Sequence, residues 1–508
     1  MESIWKSTVQ LPMRETLKGD TEVENLVIGG GMAGILTAFL LQRKGREVMV
    51  IEAKRVASGQ TGNTTAKITA QHGLIYDKLI HKVSFGKALQ YAQANVDAME
   101  KYERLIVEEG IECHLKHLPA FLYTTGEDMI SELRREAEAA KELGLEARFV
   151  KGSRITELPF TVQAAVRFAD QMQFHPLEFM APLAARLEIY ENTKALMVRG
   201  HQVYTNHGVI TAKNIIFATH YPFVNVPGFY FLRQHQERSY VLALRRKQGE
   251  SRGGARGSAD CPGDRRGECT LTGMYYSVDK GGVSLRPYED IILFGGGNHR
   301  TGKGVDVYGC KCSRVEKAQT GKQENCGDEQ GRHVKCDNHG KGYAYLRKLA
   351  KEYYPRMEEC ASWAAQDCMP HDEVPFIGKY SAFRPYWYVA TGFQKWGMTN
   401  SMIAALEISH QITEGERLYG RTFAPQRMLF QAGIKNFFVD AWESTKGLWK
   451  GLCCEKEHRC SHLGCELQWN EEEQSFDCPC HGSRYSREGE LLDNPAQVDL
   501  KKEVYMRK

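Results

Sequence analysis

The chain has 508 residues, 42% of them apolar and 26% charged, and its 67 basic and 63 acidic side chains leave a formal charge of +4. This composition allows sizeable cores in roughly three domains and excludes global disorder. It makes no demand for nucleic acid or an anionic membrane as partner. No apolar run reaches the ~18 residues of a membrane span, and residues 1–20 hold no apolar signal core, so the expected compartment is the cytoplasm.

The first clear element is residues 25–34, Asn-Leu-Val-Ile-Gly-Gly-Gly-Met-Ala-Gly, followed by an apolar-periodic stretch to Lys44 and then Glu-Val-Met-Val-Ile-Glu over 47–52. This reads as strand, tight turn, helix, strand. Gly29, Gly31 and Gly34 form G-x-G-x-x-G at the turn. The first glycine permits the turn, the second lets backbone approach a pyrophosphate, and the third lets helix pack on strand. A pyrophosphate would sit on the helix N-terminus. Glu52, 21 residues after Gly31, ends the second strand where it can accept from a ribose hydroxyl. These features predict a dinucleotide site. Gly295, Gly296 and Gly297 lead into Asn-His-Arg, so there is no second such motif, which disfavours a paired FAD and NADPH reductase.

Helices are predicted over 85–110 and 128–144, and short strands over 200–219. Residues 247–268 and 308–342 have no apolar period and read as surface insertions. A helix is predicted over 343–354 and an amphipathic connecting helix over 434–452. Residues 453–508 carry 8 basic and 12 acidic residues, a net charge of −4 against +8 for the remainder. That asymmetry suits an acidic module docking on a more basic body.

The opening unit, with Ala-Ser-Gly-Gln-Thr-Gly-Asn-Thr-Thr-Ala at 57–66, resembles FAD-dependent oxidoreductases of the D-amino acid oxidase and glycine oxidase type. So do Phe-His-Pro-Leu at 174–177, Ala-Thr-His-Tyr-Pro at 218–222, Asp-Glu-Val-Pro-Phe-Ile-Gly at 372–378 and Ala-Thr-Gly-Phe-Gln-Lys-Trp-Gly-Met-Thr at 390–399. The resemblance covers most of residues 22–415. It implies FAD, with Thr61, Gly62, Thr64 and Thr219 beside the cofactor and the late turn bearing Gly392, Trp396, Gly397 and Met398 at the flavin. It also implies a Rossmann-like FAD domain interleaved with a mixed-sheet α+β substrate domain, together spanning 20–425. The FAD segments are expected at 22–80, 150–225 and 345–425, the substrate segments at 81–149 and 226–344. The implied reaction removes a hydride from a carbon bearing an amine, in an amino acid or small amine, and the cofactor carries the chemistry. Tyr276, Arg286, His371 and Lys395 are the candidate substrate residues, an arginine being able to hold a carboxylate bidentately. Cys368 does not fall where relatives attach flavin through cysteine, and reads as a free buried thiol.

The fifteen cysteines are uneven: four lie between Cys310 and Cys336 and six between Cys453 and Cys480. The first group, Cys310, Cys312, Cys326 and Cys336, fits no standard zinc spacing and reads as free thiols. In the second, Cys460-Ser-His-Leu-Gly-Cys465 precedes Cys478-Pro-Cys-His-Gly-Ser483. Two cysteines and two histidines could hold zinc. The detail resembles a Rieske [2Fe-2S] domain, small and all-β, placed at 453–508 behind a linker helix at 430–452. The resemblance implies that Cys460 and Cys478 hold one iron and His462 and His481 the other. It implies a Cys465–Cys480 disulfide, and Ser483 and Tyr485 as hydroxyl donors toward the cluster. Only about ten residues separate the linker from Cys460, so the cluster loops are expected to rest on the flavoprotein body. The combination implies a dehydrogenase whose electrons leave singly, through the cluster, to an unidentified one-electron acceptor. Two alternatives are a reductase fed through the cluster and an electron-transfer or redox-sensing protein.

Overall fold

The computed structural model describes residues 2–247, 271–304, 341–427, 449 and 459–500. The expected connecting helix over 434–452 (Trp449 apart), nearly all of both insertions, the Cys310–Cys336 group and Cys453-Cys454 lie outside the described residues. Among the described residues there are three sheets, and no helix is long and apolar enough to cross a membrane.

The first sheet is built on the predicted unit. Thr21–Ile28 lies parallel between Val48–Ile51 and Val209–Phe217, and Glu188–Tyr190 and Arg384–Thr391 extend it in parallel on either side. Parallel strands covered on both faces read as continuous apolar runs, and Val48–Ile51 is buried at all four positions. Met32–Arg43 and Gly397–Glu414 supply the helical layer over one face and share one core with it. The helices expected over 85–110 and 128–144 are Phe85–Glu109 and Ile130–Glu142. The first stops at Gly110, whose left-handed φ of +62° ends it.

The second sheet has nine strands, ordered from Met357–Pro370 through Gln234–Arg246, Ile291–Arg300, Ser284–Tyr288, Met274–Ser277, Lys116–Thr124 and Ala164–Gln173 to Lys67–Ile68, with Ala147–Lys151 beside Ala164–Gln173. One face meets the FAD-binding layer. The other carries a separate core of Tyr240, Leu242, Tyr275 and Phe294 under the helix Gly342–Tyr353. This sheet corrects the expected division of the chain. Lys67–Ile68, Ala164–Gln173 and Met357–Pro370 fall in segments assigned to the FAD domain, yet all three pair into the second sheet. The longest pairing runs from Gln234↔Pro370 to Arg246↔Met357.

The third sheet is an antiparallel meander of Gln468–Asn470, Ser475–Asp477, Arg484–Ser486 and Leu491–Asp493. Its core is small: Cys460, Cys465, Leu467, Cys478, Cys480, Tyr485 and Ala496. A core of that size needs staples or a supporting surface. It has both, as its loops show.

Candidate cofactor sites

The glycine turn has the shape a dinucleotide needs. Gly29 has φ +116°, and a Cβ there would lie 2.9 Å from the carbonyl carbon of Ala218. A Cβ on Gly34 would run into the Gly29 carbonyl. Gly31 caps Met32–Arg43. Glu52 accepts from Gly30 N at 2.7 Å and Lys54 N at 2.9 Å, which aims its carboxylate at the turn. Burial raises its pKa against those two bonds. The Thr61 hydroxyl accepts from Met32 N at 2.9 Å, which brings the segment after Glu52 onto the same helix end. Gly62 N donates to Ala57 O at 3.1 Å, and the Thr64 hydroxyl accepts from Ala66 N at 2.9 Å. The Thr219 hydroxyl donates to Tyr221 O at 3.0 Å, just past the strand that backs Gly29. The early segment and the late turn are joined: Thr69 N donates to the Thr399 hydroxyl, which donates to Thr69 O, both at 3.0 Å. Gly392 takes a left-handed φ of +76°, Gly397 and Met398 open the helix, and Tyr102 holds Met398 O at 2.9 Å.

Of the four substrate candidates only Tyr276 and Lys395 lie close enough to interact electrostatically. Tyr276 does face the late turn, its ring edge-on to Trp396 at 5.2 Å, and Trp396 stacks on His72 at 4.9 Å. Burial raises the Tyr276 hydroxyl and lowers His72 to about 3. Arg286 is engaged by the protein's own acceptors. Its guanidinium donates to the carbonyls of Thr65 and Phe174 and to Gln173 Oε1, so it braces strands. Lys395 is engaged as well. Its ammonium lies 3.2 Å from Asp367, 3.3 Å from Glu237 and 3.0 Å from the Ser239 hydroxyl. Burial pulls its pKa down, but the two carboxylates outweigh that and hold it above an ordinary lysine. It is locked as a cation and no base. His371 bonds Leu232 O at 3.1 Å and stacks on His235, with no contact to Tyr276 or Trp396 among the described residues. Cys368 is a buried free thiol, as expected.

Sequence reasoning missed Lys67. Its ammonium donates to Tyr275 O at 3.3 Å, and among the described residues it forms no ion pair with a carboxylate. Burial, with the nearby Arg286 cation, lowers it to about 7. A lysine in a two-residue strand carries no sequence signal. Only its missing counter-ion marks it.

The cluster loops are compact. Cys465 and Cys480 are disulfide-bonded, and the Cys478 sulfur lies within 4.8 Å of both of theirs. Tyr485 OH lies 3.4 Å from Cys460 Sγ and accepts from Ser461 N at 3.1 Å. Burial pushes the Cys460 thiol up, but hydrogen bonds with Cys478, Tyr485 and Ser483 bring it down to about 7. His462 and His481 face each other at 5.0 Å, their rings perpendicular. His462 Nε2 bonds Asn225 Oδ1 at 3.0 Å, while its Nδ1 is buried without a hydrogen-bond partner. A buried polar atom without a partner is costly. Two adjacent thiols and an orphaned imidazole nitrogen fit the donor set of a Rieske cluster.

The fold and the paired loops define a flavin-dependent oxidoreductase with an iron–sulfur centre in the same chain. More particularly, the chain belongs to the DAO family of FAD dependent oxidoreductases, whose model matches residues 25–411, and carries a Rieske [2Fe-2S] domain matched over 446–503. Its cofactors are FAD and a Rieske-type cluster. A Bacillus subtilis (strain 168) protein, YhfW, whose name describes a Rieske 2Fe-2S iron-sulfur protein, is 32% identical over 98% of this chain and 97% of its own. Among solved structures, L-proline dehydrogenase from P. horikoshii aligns with TM-score 0.59 and 16% identity, over 81% of this chain and 98% of its own. Glycine oxidase from Geobacillus kaustophilus aligns with TM-score 0.59 and 16% identity, over 80% and 99%.

Proposed function

We propose that the protein is an FAD-dependent dehydrogenase of an amino acid or small amine, from which electrons leave singly through the Rieske cluster. The observation that carries this reading is the seating of the cluster module on the flavoprotein. Gln236 Nε2 donates to His481 O at 2.8 Å, and Gln236 Oε1 lies 3.8 Å from Cys368 Sγ. The Cys368 carbonyl in turn accepts from Gln394 N, in the late turn, at 2.9 Å. When bound, FAD supplies a two-electron acceptor and the cluster a one-electron one. In this reading Cys460 and Cys478 hold one iron and His462 and His481 the other, while Gly29, Gly31, Gly34 and Glu52 hold the dinucleotide. Amine oxidation at a C–N bond is supported by the family and by what the structural relatives are named for.

The chain's own residues orient the substrate. Lys67 is the cation best suited to hold a carboxylate, because Arg286 and Lys395 are already engaged. Its ammonium needs a compensating anion when buried, and an amino-acid carboxylate supplies one. Tyr276, next in the chain to the Tyr275 carbonyl that Lys67 bonds, sets its ring edge-on to Trp396. The test is an anaerobic screen of amino acids and amines against the holoprotein, read by flavin absorbance. Bleaching by one of them is expected. No bleaching by any, with reduction by a reduced ferredoxin instead, would reverse the direction of flow.

A further inference from the structure

We propose that the cluster module is a fixed relay whose histidine edge is docked inward, with Asn225 as the positioning residue that holds His462. This rests on the reading that flavin and cluster exchange electrons within one chain. Asn225 lies between the first sheet, which it follows after Val209–Phe217, and the second, which resumes at Gln234–Arg246. Its side-chain oxygen can only accept, so the bond at 3.0 Å sets the proton on His462 Nε2 and leaves the Nδ1 lone pair for metal. Phe231 closes the same edge, its ring perpendicular to both imidazoles at 6.2 and 5.9 Å. The nitrogens through which the cluster could meet an outside partner therefore lie against the protein's own body.

The second loop is held at four consecutive carbonyls. Arg300 donates to Pro479 O and Cys480 O, each at 2.8 Å. Gln236 donates to His481 O at 2.8 Å and Gln366 to Gly482 O at 2.7 Å. Gly302, at φ +73°, brings backbone so close that a Cβ would lie 2.6 Å from Pro479 N. Behind the loops, Arg238 and Glu473 form an ion pair at 2.5 Å with side chains only 4% and 7% exposed. Glu473 also pairs with Arg484, which holds Asp477 at 2.9 Å and Asp493 at 3.0 Å. Swinging the module away would strip partners from buried charges and from a run of backbone acceptors at once. A tethered shuttle would keep such a surface solvated and loosely held.

The experiment uses the full chain with both cofactors loaded. One electron is introduced by a photoreductant, and its redistribution between flavin and cluster is followed by absorbance as sucrose raises the viscosity. A fixed relay predicts a rate independent of viscosity. It also predicts that Asn225→Leu, at unchanged iron and FAD content, slows exchange by about tenfold and shifts the cluster's EPR g values, while Asn225→Asp, which keeps an acceptor, restores both. A rate that falls in proportion to viscosity overturns the proposal, as does an Asn225→Leu protein with native rate and spectrum. If that variant fails to load its cluster, the viscosity series on the native chain decides alone. No exchange at all in the native chain would remove the parent reading, a different failure from viscosity-limited exchange.

Discussion

The two cofactor sites are built in opposite ways. The cluster site is local: the proposed ligands, the disulfide and the Tyr485 hydroxyl all lie between positions 460 and 485. The proposed flavin site is distributed: backbone N–H groups of Gly30, Met32 and Thr69 bond the side chains of Glu52, Thr61 and Thr399 across the oxidoreductase body. A local site can be lost at one residue without disturbing the other site. A distributed site shares its supports with the fold, so its residues fail in graded ways.

The largest effect expected is at the local site. Cys460→Ala should abolish bound iron and the Rieske EPR signal while FAD stays bound at about one per chain, because among the described residues no hydrogen bond of the proposed flavin segments runs to Cys460. Metal analysis beside a flavin spectrum checks it. Loss of both cofactors would mean that the sites are not separable. Next is Gly29→Ala. A Cβ forced against the Ala218 backbone in a left-handed turn should strip FAD from the protein. Iron should remain, and release of flavin on gel filtration is the readout.

Between the sites lies the docking surface. Arg238→Met should destabilise the chain, by less than the about 3–5 kcal/mol of a buried pair broken from one side, because Glu473 keeps Arg484. The double change with Glu473→Leu should recover most of that in a denaturant titration. An equal loss in single and double variants would mean that packing, not charge, holds the module. The smallest effect concerns Lys67. Its site lowers its pKa to about 7, so it is charged below that pH and neutral above it. A carboxylate ligand binds the charged form. Affinity should therefore be full below about pH 7 and fall up to about tenfold for each unit above it. Lys67→Met should flatten that slope. Binding of a carboxylate inhibitor, followed through the flavin spectrum from pH 6 to 9, measures it.

How much was legible follows the same division. Both cluster boxes and the glycine turn could be read because spacing within a few residues carries the chemistry. The expectation that the cluster loops rest on the body was also sound, and Glu473 meeting Arg238 is one place where the charge asymmetry becomes a contact. The strand Met357–Pro370 escaped because it contains no Val, Ile or Thr and shows polar residues on both faces. One face carries Asp367 toward Lys395 and the other Gln366 toward Gly482, so neither reads as core. The bracing by Arg286 was not legible because two of its three partners are backbone carbonyls, of residues 65 and 174, which no side-chain pattern records. Asn225 gave no signal at all: its proposed role depends on a histidine 237 positions away.

The central claim is that two electrons enter the flavin with a hydride and leave one at a time through the cluster of the same chain, the proton going to solvent. The most direct test is to mix the anaerobic holoprotein with each amino acid of a panel and read flavin absorbance and low-temperature EPR from one sample. The account predicts that at least one amino acid bleaches the flavin and raises a Rieske-type signal in that sample. Flavin that bleaches and turns over while the cluster stays oxidised would contradict it.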